Sequence, residues 1–460
     1  MKAMQLRPFG ARDKFGYLLG DFGNDFTFIL STSILMKFYT DVVGVSAAAV
    51  GAIMMIARFV DAFTDVGMGR ICDRSRVTPA GKFRPWILRM CVPVAVASFL
   101  MYPSWLSGTS QSFKVGYLLV TYILWGSVFY TAVNIPYGSM ASAISARPED
   151  RQSLSTYRTM GGMLAGAVIG VVLPLLAYVK VDGKETLVGS RVTVIAGVFS
   201  LLAIGCYLLC YVLTAERVRQ SPAAQSVKTS TTRMLRNALK NRALISIIAA
   251  SVVMLLAQLT MQGMAGYIYP EYYNSAAAQS VSTLVMLGAM SLAAAISKPL
   301  AVRFGKAEIS VAANLAAAAI CVATFVIRPG NVWVFVALQG LCWFALGIFS
   351  MVSWALIADV IDDAQVRNGV REDGSVYALY SFARKMGQAA AAGLSGVLLG
   401  LIGYGEQTKG DPAVLEGVFD IATLVPAVGF AALGLILWLW YPLHKKQVQA
   451  NVKALEEMGS

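Results

Sequence analysis

Charged residues are scarce in this sequence. Lysine, arginine, aspartate and glutamate make up 14% of its 460 residues, whereas an average soluble domain has about 25%. Hydrophobic types account for 57%, and the mean hydropathy is +0.63. A soluble protein of this length could not cover its surface with so few charges. The composition therefore excludes an ordinary soluble domain and favours a protein embedded in lipid.

The sequence is also poor in the residue patterns that catalysis and metal binding require. The only histidine, His444, lies in a basic tail, which argues against histidine acid–base catalysis or metal binding. The six cysteines form no zinc-type CxxC pair and fall mostly in apolar runs, so we interpret them as small packing residues. The sequence contains no nucleophile–base pair, metal-ligand cluster, phosphate loop or sizeable soluble domain. A membrane enzyme or a transporter-like sensor is therefore the least supported function class.

Long apolar runs dominate the rest of the chain. One crossing of the hydrocarbon core requires about 20 mainly apolar residues, and many such stretches occur between short polar loops. The runs are unbroken and do not alternate with period two, so helices are favoured over a β-barrel. We predict an all-α integral membrane protein with twelve transmembrane helices. The predicted spans are 16–40, 46–69, 86–106, 114–143, 156–178, 191–214, 242–269, 279–301, 309–327, 331–357, 376–402 and 416–441.

The longest polar connection, residues 215–241, is basic with a Ser/Thr-rich centre, which is typical of a linker. It separates an N-terminal six-helix bundle at 1–214 from a C-terminal six-helix bundle at 242–443, followed by a tail at 444–460. Lysine and arginine concentrate at the N-terminus, after spans two and four, in the linker and in the tail. The positive-inside rule then predicts cytoplasmic termini and a multi-pass protein of the cell (inner) membrane.

Membrane orientation also accounts for the formal net charge of +13, so no nucleic-acid partner is predicted. The N-terminal segment, residues 1–14, is polar and basic. No small-residue cleavage site follows a short apolar core there, so we expect no cleavable signal of the usual form.

Charged residues inside the predicted spans are costly and need a reason. Asp25 lies in span one, and Arg58, Asp61 and Asp65 lie in span two. Asp61 and Asp65 are four residues apart and share one helix face. Because two ionised carboxylates on that face repel, one of them should bind a proton or both should share a cation. The alternative is a structural cluster, in which Arg58 pairs with Asp61 and the charges only hold helices together.

Other polar and aromatic residues point to a sugar. Asn134, Tyr137 and Trp354 lie at depths suited to a central cavity, where amides bind hydroxyls and flat rings stack on pyranose faces. The two halves also echo each other weakly: Arg158 and Lys385 are each followed by small residues at steps of four. Paired halves of this kind indicate a secondary transporter with its site near the membrane midplane. Lys37, at the outer end of span one, is expected to extend toward the headgroups.

Seven short motifs resemble the glycoside–pentoside–hexuronide:cation symporter family, a branch of the major facilitator superfamily. The resemblance covers nearly the whole chain in order. The motifs are Phe38-Tyr39-Thr40-Asp41, Asp61-Ala-Phe-Thr-Asp65, Gly81-Lys82-Phe83-Arg84-Pro85-Trp86, Asn134-Ile-Pro-Tyr-Gly-Ser139, Ala358-Asp359, Arg371-Glu-Asp-Gly-Ser-Val-Tyr377 and Ser381-Phe382-Ala-Arg-Lys385.

The resemblance implies a major facilitator fold of two six-helix halves and a cation site. Asp61 and Asp65 match the family's cation-site carboxylates, and Thr64 and Thr131 match their polar neighbours. Lys385 matches a lysine of span eleven near that site. No cofactor and no metal is implied beyond a co-transported H⁺ or Na⁺ at Asp61 and Asp65.

The resemblance also implies a sugar site. Asp25 and Arg158 match sugar-binding residues of the melibiose permease branch, but Asn134 and Gly138 replace that branch's aspartate and tryptophan. The Asn134–Ser139 run and the Arg384-Lys385 pair are more similar to glucuronide carriers.

We therefore predict a sugar or glycoside:cation symporter in the lipid bilayer. Arg158 and Arg384 are the cations expected to favour an anionic, hexuronide-type substrate. The alternative is an uncoupled uniporter or exchanger of the same fold, in which the carboxylates are structural.

Overall fold

The computed structural model describes residues 7–218, 241–368 and 373–459. Within these ranges the chain forms thirteen α-helices, with Gln111–Ile144 counted as one, and a β-hairpin. The helices are α1 (Ala11–Phe38), α2 (Ala47–Arg74), α3 (Arg84–Leu100), α4 (Gln111–Ile144), α5 (Pro148–Ala177), α6 (Gly189–Leu213), α7 (Arg242–Tyr267), α8 (Ala276–Phe304), α9 (Lys306–Ile327), α10 (Val332–Asn368), α11 (Asp373–Leu401), α12 (Pro412–Leu435) and α13 (Lys445–Gly459).

Each of the twelve predicted spans overlaps one of the helices α1 to α12. Ten of the described helices are long and apolar enough to cross a membrane. Of α1 to α12, the two that are not among these ten are α3, which has 17 residues, and α11, which carries Arg384 and Lys385. The predicted tail at 444–460 contains α13. Most of the predicted linker and the start of the 371–377 motif lie outside the described residues.

One element departs from the predicted all-α class. Strands β1 (Tyr178–Val181) and β2 (Lys184–Leu187) pair antiparallel directly after α5. The two turn residues between them, Asp182 and Gly183, have φ angles of 50° and 78°. Asp-Gly is the dipeptide that tolerates two positive φ angles in a tight hairpin, so this short connection between helices becomes a hairpin.

The chain divides into two compact units. The first contains α1 to α6 and also the segment Leu399–Lys409, which we call the 399–409 segment. The second contains α7 to α13 except for that segment.

In the first unit, α1 packs most extensively against α5 and α6. Glycines outside the predicted small-residue strip permit this approach. A Cβ on Gly161 would overlap the main-chain oxygen of Leu18, and one on Gly23 would lie 3.0 Å from Cys206 Cβ. The backbones of three helices therefore meet with no side chain between them at these points.

A partly buried carboxylate closes the turn before α3. The main-chain N–H groups of Lys82, Phe83 and Arg84 donate to Glu216 at 2.7, 2.8 and 2.7 Å. The N–H groups of Phe83 and Arg84 are unsatisfied donors at the N-terminus of α3, which favour a negative charge. Gly81 has a φ of +113°, and a Cβ there would lie 2.5 Å from Glu216 Cδ. The start of the Gly81–Trp86 motif is thus explained by this cap.

Lys37 contradicts its sequence prediction. It does not extend toward the headgroups but is 1% exposed, with Nζ 2.9 Å from Asp41 Oδ2. Its ammonium donates to the hydroxyl of Tyr404 at 3.1 Å, and that hydroxyl donates to Asp41 Oδ1 at 2.9 Å. A carboxylate one turn away and a covering 399–409 segment offer Lys37 nearer partners than the headgroups do.

Lys37→Met should destabilise the protein strongly. It leaves Asp41 buried, and among the described residues the more distant Lys409 ammonium, at 3.9 Å, is then the cation paired with it. Removing one partner of a buried pair typically costs about 3–5 kcal/mol. We expect a lower thermal unfolding temperature in detergent, partly restored in Lys37→Met/Asp41→Leu. Lys180→Met, at an exposed position of β1, is the matched control. A Lys37→Met protein as stable as the control would show that the pair contributes nothing.

Candidate functional site

The candidate cation site lies between α2 and α4 in the first unit. Asp61 and Asp65 point to one side of α2, and α4 presents two hydroxyls to them. Ser127 donates to Asp61 Oδ1, and Thr131 donates to Asp65 Oδ1 at 2.8 Å. In each of the two pairs the partners are 66 residues apart in sequence. The two helices therefore run parallel, and the pairs lie one helical turn apart. We call this arrangement the carboxylate–hydroxyl ladder.

A π-helical segment, Leu124–Tyr130, shapes the α4 side of the ladder. It holds one residue more per turn than an α-helix, and such segments occur frequently at functional sites. Gly126 lies within it, where a Cβ would be 3.3 Å from Asp61 Oδ1. The absence of a side chain at Gly126 therefore allows the α4 backbone to approach the carboxylate closely.

Arg58 lies on the other side of Asp61. Its Nη1 is 3.3 Å from Asp61 Oδ2, and the two side chains are 13% and 15% exposed. The guanidinium carbon lies 4.8 Å from the centre of the Phe28 ring, a distance suited to a cation–π contact. Asp61 is thus held at one oxygen by a cation and at the other by a hydroxyl.

The other two predicted cation-site residues are placed differently. The Thr64 hydroxyl donates to the main-chain oxygen of Asp61 at 3.1 Å, so it bonds within its own helix. Lys385 belongs to α11 in the second unit. Ser127 was not predicted from the sequence. Its spacing of four from Thr131, which repeats the spacing of Asp61 and Asp65, was the available signal.

Arg158 pairs with a carboxylate that the sequence reasoning did not choose. Its Nε lies 3.0 Å from Asp21 Oδ1, with side-chain exposures of 39% and 13%. Asp25 is one turn further along α1 and faces the same helix, α5. A Cβ on Gly162 would lie 2.6 Å from Asp25 Oδ2 and 3.2 Å from Asp21 Oδ2. The glycine therefore leaves room for both carboxylates beside Arg158.

Tyr137 is packed within the first unit. It is 1% exposed, its ring stacks on that of Tyr17 at 4.5 Å, and its hydroxyl donates to Tyr17 O at 2.5 Å. The Arg158 guanidinium carbon lies 5.3 Å from the Tyr137 ring centre. Asn134, which is half-buried, accepts a hydrogen bond from Asn24 at 3.4 Å. Tyr137 thus contacts Arg158 through its ring rather than through its hydroxyl.

In the second unit, Trp354 and Arg384 lie together. Trp354 is 47% exposed and meets the buried Tyr380 ring edge to face, with centroids 5.1 Å apart. The Arg384 guanidinium carbon lies 5.9 Å from the Trp354 ring and 5.8 Å from the Tyr380 ring. Within the described part of the chain, no carboxylate pairs with Arg384. This cluster therefore combines an accessible indole with a guanidinium that no anion of the described residues neutralises.

The chain matches the family described as MFS/sugar transport protein over residues 16–445. It is similar to the uncharacterized symporter YjmB of Bacillus subtilis, at 30% identity over 97% of this chain and 95% of that protein. The glucuronide carrier protein homolog of Escherichia coli is 30% identical over 96% and 94% of the two chains. The isoprimeverose transporter of Lactiplantibacillus pentosus is 30% identical over 94% and 89%.

Among solved structures, a bacterial homologue of the iron transporter ferroportin, in an inward-facing state, resembles this fold. The TM-score is 0.66 at 14% identity, with 94% of this chain and 98% of that chain covered. At such low identity the likeness concerns the fold alone.

The chain belongs to the sugar-transport family of the major facilitator superfamily. Its relatives fit the glycoside–pentoside–hexuronide group, which confirms the resemblance seen in the sequence motifs. It is therefore a multi-pass membrane transporter and not an enzyme, and its described residues are helical apart from the hairpin after α5 and short connections.

A double-mutant cycle should assign the partner of Arg158. We expect Asp21→Asn and Arg158→Gln to show a coupling free energy of about 1 kcal/mol in thermal unfolding, since the pair is partly exposed. The parallel cycle with Asp25→Asn should give a smaller coupling, because Asp25 makes no direct ion pair with Arg158 in the structure. Equal couplings in the two cycles would contradict the assignment of Asp21.

Proposed function

We propose that this protein is a secondary active symporter that carries a sugar or glycoside together with H⁺ or Na⁺ by alternating access. The observation that carries the proposal is the carboxylate–hydroxyl ladder of α2 and α4, which concentrates oxygen ligands and negative charge between two apolar helices. Charges at such depth are expensive and typically serve ion or substrate pathways. The names of the relatives, which include a symporter and sugar carriers, support the same function.

The proposal includes the architecture of the membrane domain. Helices α1 to α12 form twelve transmembrane spans in two six-helix halves, at 1–214 and 242–443. A linker at 215–241, a tail at 444–460 and both termini are cytoplasmic, and the protein resides in the inner membrane. The distribution of lysine and arginine supports this orientation.

In this proposal, Asp61 is the principal cation-binding carboxylate, assisted by Asp65, Thr131, Thr64 and Lys385. Moving one charge down 100 mV supplies about 2.3 kcal/mol. This is enough for a substrate concentration ratio of about fifty, provided that cation and substrate bind in a linked way.

Asp61→Asn should abolish substrate accumulation and leave some downhill exchange, because it keeps the side-chain shape and removes the charge. The measurement is uptake into membrane vesicles with and without an imposed cation gradient. Asp182→Asn, in the exposed hairpin turn, is the matched control. Full accumulation by Asp61→Asn would mean that the carboxylate is structural.

That outcome would favour the second candidate, an uncoupled uniporter or exchanger. One observation supports it: Arg58 already neutralises Asp61 in the structure. A partly buried arginine–aspartate pair of this kind can have a purely structural role, in which it holds a helix in place.

We further propose that the substrate is anionic, of the hexuronide class, with Asp25, Asn134, Arg158, Tyr137, Trp354 and Arg384 as the substrate-binding set. Arg158 is paired with Asp21, so its positive charge is already balanced by a carboxylate of the protein. Arg384 contacts the Trp354 and Tyr380 rings instead, so its positive charge is the one that favours an anionic substrate. An indole can stack on a pyranose ring while a guanidinium binds its carboxylate with two hydrogen bonds. The glucuronide carrier homolog among the relatives supports this choice.

Transport of a glucuronide and of its matched neutral glucoside should differ in the wild type and depend on Arg384. Arg384→Gln should raise the KM for the glucuronide at least about tenfold, as expected when a charged hydrogen bond is lost. The KM for the glucoside should change little, and Arg384→Lys should be intermediate. Arg303→Gln, at the exposed end of α8, serves as the control. Equal uptake of both glycosides by the wild type would refute an anionic preference.

A further inference from the structure

Ser127 makes an unusual hydrogen bond for a serine in a membrane helix. Such hydroxyls usually donate to the main-chain oxygen one turn earlier in their own helix. Two neighbours on α4 do so, Thr121 with Tyr117 O at 2.8 Å and Ser139 with Ile135 O at 2.9 Å. Ser127 instead donates across to Asp61 Oδ1 on α2, although it is only 3% exposed. Its hydroxyl is therefore directed at a carboxylate rather than at its own backbone.

The π-helical segment explains how Ser127 reaches that position. An extra residue in the turn Leu124–Tyr130 shifts the pattern of main-chain hydrogen bonds around Ser127. Gly126, next to it, keeps the approach to Asp61 Oδ1 clear, since a Cβ there would lie 3.3 Å away. Two features of one short segment thus serve the same carboxylate oxygen.

The resulting contacts divide the two oxygens of Asp61. Arg58 holds Oδ2 at 3.3 Å, and Ser127 donates to Oδ1. A serine hydroxyl has one hydrogen and two lone pairs. Ser127 Oγ lies beside Asp61 Oδ1, so a lone pair of this oxygen can bind a cation at Oδ1 once the hydroxyl hydrogen turns away. Orientation of Asp61 and supply of a neutral oxygen therefore come from one side chain.

We propose that Ser127, placed by the π-helical segment, is a further residue of the cation site that sets the affinity of Asp61 for the coupling ion. This inference rests on the proposed symport function. Its ligand is a monovalent cation, Na⁺ or H⁺. Ser127 acts through Asp61 as a positioning residue for either ion and also ligates Na⁺ directly.

The two ions respond to the loss of the hydroxyl in opposite directions. Without Ser127, Na⁺ loses an oxygen ligand and binds more weakly. A proton binds more strongly, because a donated hydrogen bond favours the ionised carboxylate. Among the described residues of the first unit, the charged and titratable groups near Asp61 include Arg58 and Asp65 on α2 and Tyr122 on α4. The substitutions leave all of these in place.

The experiment measures substrate uptake by reconstituted protein as a function of Na⁺ concentration at fixed pH, and of pH without Na⁺. In Ser127→Ala, we expect the half-activating Na⁺ concentration to rise at least about fivefold if Na⁺ activates the wild type. If H⁺ activates it, the half-activating proton concentration should fall by a similar factor. The maximal rate should stay within about twofold in either case, as expected for the loss of one hydrogen bond at a charged group.

Three further variants make the test specific. Ser127→Thr, which keeps the hydroxyl, should restore the wild-type activation curve. Gly126→Ala, which places a methyl group against Asp61 Oδ1, should also shift the half-activating concentration by displacing the carboxylate. Ser139→Ala, which removes a hydroxyl bonded within α4, should leave the curve unchanged.

The outcomes separate this inference from the function on which it rests. A wild type with no cation activation would overturn the symport proposal and this inference with it. A wild type with normal activation and an unshifted Ser127→Ala curve would overturn the inference alone. So would a change confined to the maximal rate, or a shift opposite to the direction stated for the activating ion. If Ser127→Ala does not fold, the comparison of Gly126→Ala with Ser139→Ala decides the question by the same criterion.

Discussion

The structure depends above all on the cost of placing charge away from water. A buried ion without a partner is far more expensive than a buried ion pair, so each carboxylate in the interior constrains what packs around it. Asp13, fully buried, lies 2.9 Å from Arg217, which follows α6. In the second unit, Asp359 lies 2.5 Å from Lys306 at the start of α9. In both units, segments distant in sequence are thus brought together where one of them supplies the opposite charge.

Much of the fold follows from the apolar runs alone, because each helix must satisfy its own backbone in lipid. The same reasoning was wrong about Lys37. Spacing along a helix shows that Lys37 and Asp41 lie one turn apart, but not that a segment more than 350 residues later covers them. The hairpin after α5 was also missed, although its Asp182-Gly183 turn is visible in the sequence.

The candidate site divides in the same way. Asp61 and Asp65 could be chosen from the sequence because two carboxylates in an apolar helix are rare and their four-residue spacing fixes a common face. Ser127 could not, since serines are common in membrane helices and a π turn breaks the 3.6-residue periodicity on which such reasoning relies. Which aspartate meets Arg158 depends on how α1 and α5 are rotated against each other. Sequence spacing leaves that rotation open, and the structure selects Asp21.

The 399–409 segment has a consequence for dividing the protein into fragments. It belongs to the first unit, although the helices before and after it belong to the second. A fragment that ends at the central linker therefore lacks Tyr404, and with it the hydroxyl that bridges Lys37 and Asp41. If the two halves are expressed separately, the C-terminal fragment has to supply the 399–409 segment to the first unit. The two folded units therefore do not correspond to two consecutive stretches of the sequence.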